Sequence, residues 1–165
     1  MGFESFQVVL SGGRASLAET DETIRKLPHM RLDPLSILVP GSICYCMETG
    51  QHVVELELTA SPVTLSCRFT LCHPDSVDKT FLGLLRVLMA GLGMEAKICD
   101  DVRPEHEHSF PLTQFEEFSA ATVGYITSRR KEWINAFGPA RLAASTIECY
   151  QRIILPRCQP GVLQA

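Results

Sequence analysis

Two adjacent runs alternate so regularly that they leave few choices for the fold. In Val53-Val54-Glu55-Leu56-Glu57-Leu58-Thr59, the side chains Val54, Leu56 and Leu58 fall on one side. In the next run Val63, Leu65, Cys67, Phe69 and Leu71 share a side, opposite Thr64, Ser66, Arg68 and Thr70. A period of two marks strands with one buried face, because successive side chains on an extended backbone point to opposite sides. Ala60-Ser61-Pro62 is short enough to close the two runs into a hairpin. Glu55 and Glu57 then lie on the outer face, where they read as solubilising groups rather than as a catalytic pair.

The flanking segments add elements with identifiable boundaries. Phe6 to Leu10 reads as a strand that stops at Gly12-Gly13, and Asp21 to Leu27 as a short helix begun by Thr20 or Asp21 and ended by Pro28. His29 to Pro40 is undefined. Ser42 to Glu48 reads as a strand with Ile43, Tyr45 and Met47 on one face, turning at Thr49-Gly50. After the hairpin, Val77, Phe81, Leu84, Leu85, Leu88, Met89 and Leu92 follow helical spacing, with Asp75 or Ser76 as cap and Gly91 or Gly93 as stop. Met94, Ala96 and Ile98 alternate with Glu95 and Lys97 as a further strand.

Asp100 to Pro111 is charged and irregular. Beyond it, Thr113 and Glu116 have capping-box spacing. Phe115, Phe118, Thr122, Ile126, Trp133 and Phe137 could line one long helix, or two bent near Gly124. Gly138-Pro139 ends that region and another helix could start at Ala140. Ile153-Ile154-Leu155 fits either the end of that helix or a last strand.

The order β-α-β-β-β-α-β followed by helices predicts one α+β domain over 1–165, with a sheet-forming part at 1–99 and a helical extension at 112–155. Its topology resembles the ferredoxin-like split-βαβ arrangement: an antiparallel sheet with helices on one face, here with an extra strand. That resemblance implies a fold and no activity, because the fold hosts many unrelated functions.

Size and composition narrow the functional classes. The 165 residues are 45% hydrophobic and 21% charged, enough for one sizeable core. The net charge of −4 argues against a general nucleic-acid binder. The basic clusters, Arg129-Arg130-Lys131 and Arg25-Lys26, read as solvated helix faces. No run approaches the roughly 18 apolar residues of a membrane span. The start, Met1-Gly2-Phe3-Glu4-Ser5-Phe6, lacks the basic residues of a secretory signal and the Ser or Thr of a myristoylation site. The expected location is cytoplasmic, with the seven cysteines as reduced, mostly buried thiols.

No motif specifies a reaction. Leu10-Ser11-Gly12-Gly13-Arg14 looks like the signature loop of ABC-type ATPases, but the chain contains no G-x-x-x-x-G-K-[ST] sequence, so a strand-ending turn is the better reading. Cys44 and Cys46 would face the same side of a strand, yet a structural zinc site needs two further ligands. Cys72 and His73 are adjacent and would point to opposite faces of a strand, which argues against a thiol–imidazole pair.

The densest ligand set is Cys99 with His106 and His108, near Asp100, Asp101, Glu105 and Glu107. Imidazole suits transition metals, so these residues carry the alternative of a metal-dependent or thiol enzyme. A small-ligand sensor is a further alternative. The leading expectation is a non-enzymatic protein-binding or regulatory protein without cofactor, such as a stoichiometric inhibitor or immunity-type protein. Asp100, Asp101, Glu105 and Glu107 would steer it onto a basic partner, and Trp133 after its basic run would be a contact of hot-spot type.

Overall fold

The computed structural model describes residues 5–37, 40–99, 108–139 and 142–158. Strands β4 (Val53–Ala60) and β5 (Val63–Thr70) pair antiparallel, with Leu56 opposite Cys67 and Leu58 opposite Leu65. β1 (Ser5–Ser11) pairs with the far side of β5, and β3 (Ser42–Glu48) pairs with β4. β2 (Met30–Leu32), β6 (Glu95–Ile98) and β7 (Ser109–Phe110) complete an antiparallel sheet. The described residues thus form an α+β fold on seven strands in the order β2-β3-β4-β5-β1-β6-β7.

One face of this sheet is the core. Val54, Leu56, Leu58, Leu65, Cys67 and Phe69 are buried there in one cluster with Phe81, Leu85 and Leu88. Phe6, Phe69 and Phe81 pack ring to ring, with centroids 4.9 Å apart for Phe69–Phe81 and 5.9 Å for Phe6 against either partner. Such tilted contacts add to the transfer energy of three buried rings. Helices α1 (Leu17–Arg25), α2 (Val77–Leu92) and α3 (Phe115–Phe137) cover this face. They reach it through the Tyr45–Asp21 hydrogen bond, the Phe81 ring and the Phe6–Tyr125 contact at 5.7 Å.

Several boundaries differ from those read in the sequence. α1 starts at Leu17 because Ser16 and Glu19 form a reciprocal capping box, ahead of the Thr20 or Asp21 that would have begun it. Met30–Leu32 forms an edge strand inside the stretch without sequence pattern. α3 runs through Gly124 as one helix, and a 3-10 turn at Leu112–Gln114 precedes it instead of a Thr113–Glu116 cap. Gly93, at φ 63°, ends α2. β1 does stop before Gly12 (φ 78°) and Gly13, and a Cβ on Gly13 would stand 2.6 Å from the Leu92 carbonyl oxygen. Packing against the end of α2 therefore accounts for the second glycine.

The C-terminal part corrects the one-faced arrangement. α4 (Thr146–Cys149) is capped by a Ser145–Glu148 box, passes through a π-helical turn at Tyr150–Ile154 and ends in α5 (Leu155–Cys158). Ile153–Leu155 is accordingly helical. Ala144 to Thr146 lies on the sheet face opposite α1–α3, hydrogen-bonded to Thr70 and Glu55.

Candidate functional site

Glu55 is where the second sheet face becomes chemically specific. Alternation places it away from the core, yet it is only 6% exposed because the start of α4 covers it. Its carboxylate accepts from the Thr146 backbone amide at 3.2 Å, from the Thr146 hydroxyl, and from Arg68 Nε at 3.2 Å. The expectation of a hydrated, solubilising Glu55 is therefore wrong. A period of two shows which face a residue takes and not what lies on that face. A buried carboxylate persists only with such partners.

A groove of about 370 Å³ opens between this side of β2–β4 and α4, walled by Asp33, Glu48, Glu55 and Glu148. Arg31 lies among them and holds Glu48 at 2.8 Å. The Ser145 backbone amide, helped by the Ser145 hydroxyl, holds the Glu148 carboxyl below the usual carboxylate range against the opposing effect of burial. Ile147, 45% exposed, and Val53 give the groove an apolar part. A smaller hollow of about 80 Å³ shares Asp33 and Glu55 and adds Glu57, Arg68 and Cys44. Carboxylates outnumber guanidinium groups across both, so the joint surface is acidic.

Beside the groove, four fully buried side chains form a polar knot: Thr70, Cys72, His73 and Cys149. Thr70 Oγ1 lies 2.8 Å from His73 Nδ1 and 3.1 Å from Cys72 Sγ, and donates to the Ala144 carbonyl at 3.0 Å. The Val53 N–H donates to His73 Nε2 at 2.9 Å, which places the ring proton on Nδ1. β5 ends at Thr70, so Cys72 and His73 sit in a turn where strand alternation no longer applies. The knot therefore brings together two residues that strand alternation would have separated.

A third polar group stands at the same end of β4, just before Val53. The His52 ring lies 2.8 Å from Ser76 Oγ through Nε2 and 3.0 Å from Thr80 Oγ1 through Nδ1. The Ser76 hydroxyl is thus used across elements and makes no cap bond to α2. Burial, with a smaller effect from His73, holds the His52 imidazole below its ordinary value.

Of the residues singled out in the sequence, Asp100, Asp101, Glu105, His106 and Glu107 lie outside the described residues. Cys99 is half-buried just past β6, where its N–H donates to the Gln7 carbonyl at 3.2 Å. His108 is exposed and stands edge-on to Phe110 at 4.7 Å. Trp133 is 1% exposed and stacks on Phe137 at 4.4 Å, so it packs α3 inward and presents no surface. Among the described residues no three of His, Cys, Asp and Glu gather as a metal-binding set. Cys44, Cys46, Cys67, Cys72, Cys99 and Cys149 are free thiols.

The groove residues from the C-terminal part were missed, although Ser145-Thr146-Ile147-Glu148 carries the capping-box spacing that announces a helix start. No family model matches the chain, and no curated protein or solved structure matches it either. Among the described residues no helix is long and apolar enough to cross a membrane.

Proposed function

We propose that this chain is a non-enzymatic protein-binding domain whose acidic groove receives a basic segment of another protein, in the manner of a stoichiometric inhibitor or immunity-type protein. The observation that carries this reading is the excess of carboxylates, Asp33, Glu48, Glu55 and Glu148, around a groove of about 370 Å³ with the lone Arg31 among them. Such a surface attracts cationic side chains and raises their association rate. Ile147 offers an apolar contact beside the charges. Asp100, Asp101, Glu105 and Glu107 would add to the same attraction from a separate part of the chain. The reading includes a cytoplasmic setting and no cofactor.

We also read β4-β5-β1-β6, with α1 and α2, as a ferredoxin-like unit extended by β2–β3 at one edge and β7 at the other. The order of these strands and their antiparallel sense support it. Nothing in that fold chooses a partner.

The test titrates an oligo-arginine peptide into three proteins: the natural chain, an Asp33→Asn, Glu48→Gln groove variant, and an Asp101→Asn, Glu105→Gln, Glu107→Gln acidic-segment variant. The groove variant should bind about two- to fivefold more weakly per neutralised carboxylate, and added salt should weaken all three. Unchanged binding by the groove variant with loss in the acidic-segment variant would move the site to that segment. No salt-sensitive binding by any of the three would sink the reading.

A further inference from the structure

We propose that Cys72 and Cys149 form a redox-active dithiol, which a small peroxide converts into a disulfide stapling the C-terminal segment to the sheet. Both residues are fully buried, and they come from elements far apart in the chain: the turn after β5 and the last residue of α4. Three hydrogen bonds hold the end of β5 and its turn to the stretch that leads into α4. The Leu142 N–H donates to the Cys72 carbonyl at 2.8 Å, Cys72 Sγ donates to the Leu142 carbonyl at 3.3 Å, and Thr70 Oγ1 donates to the Ala144 carbonyl at 3.0 Å. Cys149 completes the set by hydrogen-bonding to the Cys72 thiol. Two sulfurs in hydrogen-bond contact are neighbours, which a disulfide requires.

The surroundings also favour the chemistry. Hydrogen bonding from Cys149, helped by His73, draws the Cys72 thiol toward ionisation despite its burial. The thiolate is the nucleophile in thiol oxidation. Access comes through α4, the first turn of the C-terminal helical run, where Ile147 and the following Tyr150 are exposed. A helix end opens at a fraction of the global unfolding free energy.

The step balances with a peroxide as the only co-reactant. Cys72 S⁻ attacks one peroxide oxygen, the O–O bond breaks, and the products are Cys72 sulfenic acid and hydroxide, which takes up a proton as water. Cys149 sulfur then attacks the Cys72 sulfur, the S–O bond breaks, and a second water leaves with the Cys149 proton. Two thiols lose two electrons in all, and hydrogen peroxide is reduced to two waters.

The inference does not depend on the groove reading, and its test involves no partner. The native chain is treated with hydrogen peroxide, denatured, alkylated without reductant and digested. The expected result is one linked peptide pair containing Cys72 and Cys149, the other thiols remaining alkylatable. Cys149→Ser should remove the cross-link and leave Cys72 as a sulfenic or higher oxide. The oxidised natural chain should also unfold at higher urea than the reduced one, because the bond restricts the unfolded chain. A cross-link between other cysteines, oxidation of Cys72 beyond sulfenic acid with Cys149 still free, or a lower urea midpoint would overturn the proposal. Should Cys149→Ser fail to fold, the peptide map of the natural chain decides alone.

Discussion

Arg130 in α3 forks onto Asp78 in the first turn of α2, with Nη1 to Oδ2 at 2.8 Å and Nη2 to Oδ1 at 2.5 Å. Arg130 is 6% exposed, so this contact joins two helices at a place where an unpaired charge is expensive. Asp78→Ala should cost about 3–5 kcal/mol in urea unfolding, because it strands the guanidinium. Asp75 also approaches Arg130, at 3.4 Å, but is mostly exposed. Asp75→Ala should therefore change stability by less than about 1 kcal/mol. Equal losses in the two variants would mean that the burial of Arg130 does not set its dependence on Asp78.

Phe69 meets Phe6, Phe81 and His73 in the middle of the core. Phe69→Ala should lower stability by roughly 3–5 kcal/mol, measured by the same unfolding experiment. A loss under about 1 kcal/mol would contradict the packing of α2 on β1 and β5.

The residues just named show what could be read in the sequence. Val54, Leu56, Leu58, Leu65, Cys67 and Phe69 alternate, and Phe81, Leu85 and Leu88 recur at helical spacing, because a buried face imposes its period on the chain. Both the hairpin and α2 were legible for that reason. Met30–Leu32 was not, since a three-residue edge strand is too short to display a period. The burial of Glu55 was hidden for a different reason: its cover is Thr146, far along the chain, and no local pattern reports a non-local lid. The groove thus depended on information that only the tertiary structure contains. The Cys72–Cys149 contact was equally out of reach. The Cys72–His73 cluster was lost to an overlong strand, since the alternation was carried past Thr70 into a turn.

Thr146 and Glu55 offer a direct test of that lid. Thr146→Val keeps the shape and removes the hydroxyl donor from a buried carboxylate. The expected cost is about 1–3 kcal/mol, read from urea unfolding at neutral pH. A cost below about 0.5 kcal/mol would mean that the hydroxyl does not serve the carboxylate.

His52 should make stability fall on mild acidification. Its folded value lies below the unfolded one of about 6.5, chiefly through burial. Between those two values the unfolded chain takes up a proton that the folded chain refuses, so stability is lost as pH falls from about 6.5 through the folded value. The contribution is fully present above that range. His52→Gln should flatten this part of the stability–pH curve, which can hold at most about 1.4 kcal/mol per pH unit for one proton. An unaltered slope in the variant would assign the acid sensitivity elsewhere.

β1, the first of the described strands, occupies an interior position of the sheet, between β5 and β6. Loss of an outer strand frays only a border. Here, deletion of Ser5–Ser11 would divide the sheet into two separate ribbons, β2 to β5 and β6 to β7, and expose the rows of backbone groups that β1 had satisfied on both of its flanks. The same placement imposes an order on biosynthesis. β1 has no neighbour until β5 has left the ribosome, and its second neighbour, β6, follows only after α2. Shortened versions and early nascent chains therefore share one hazard, self-association through unpaired edges, which neither α3 nor the C-terminal helices can relieve.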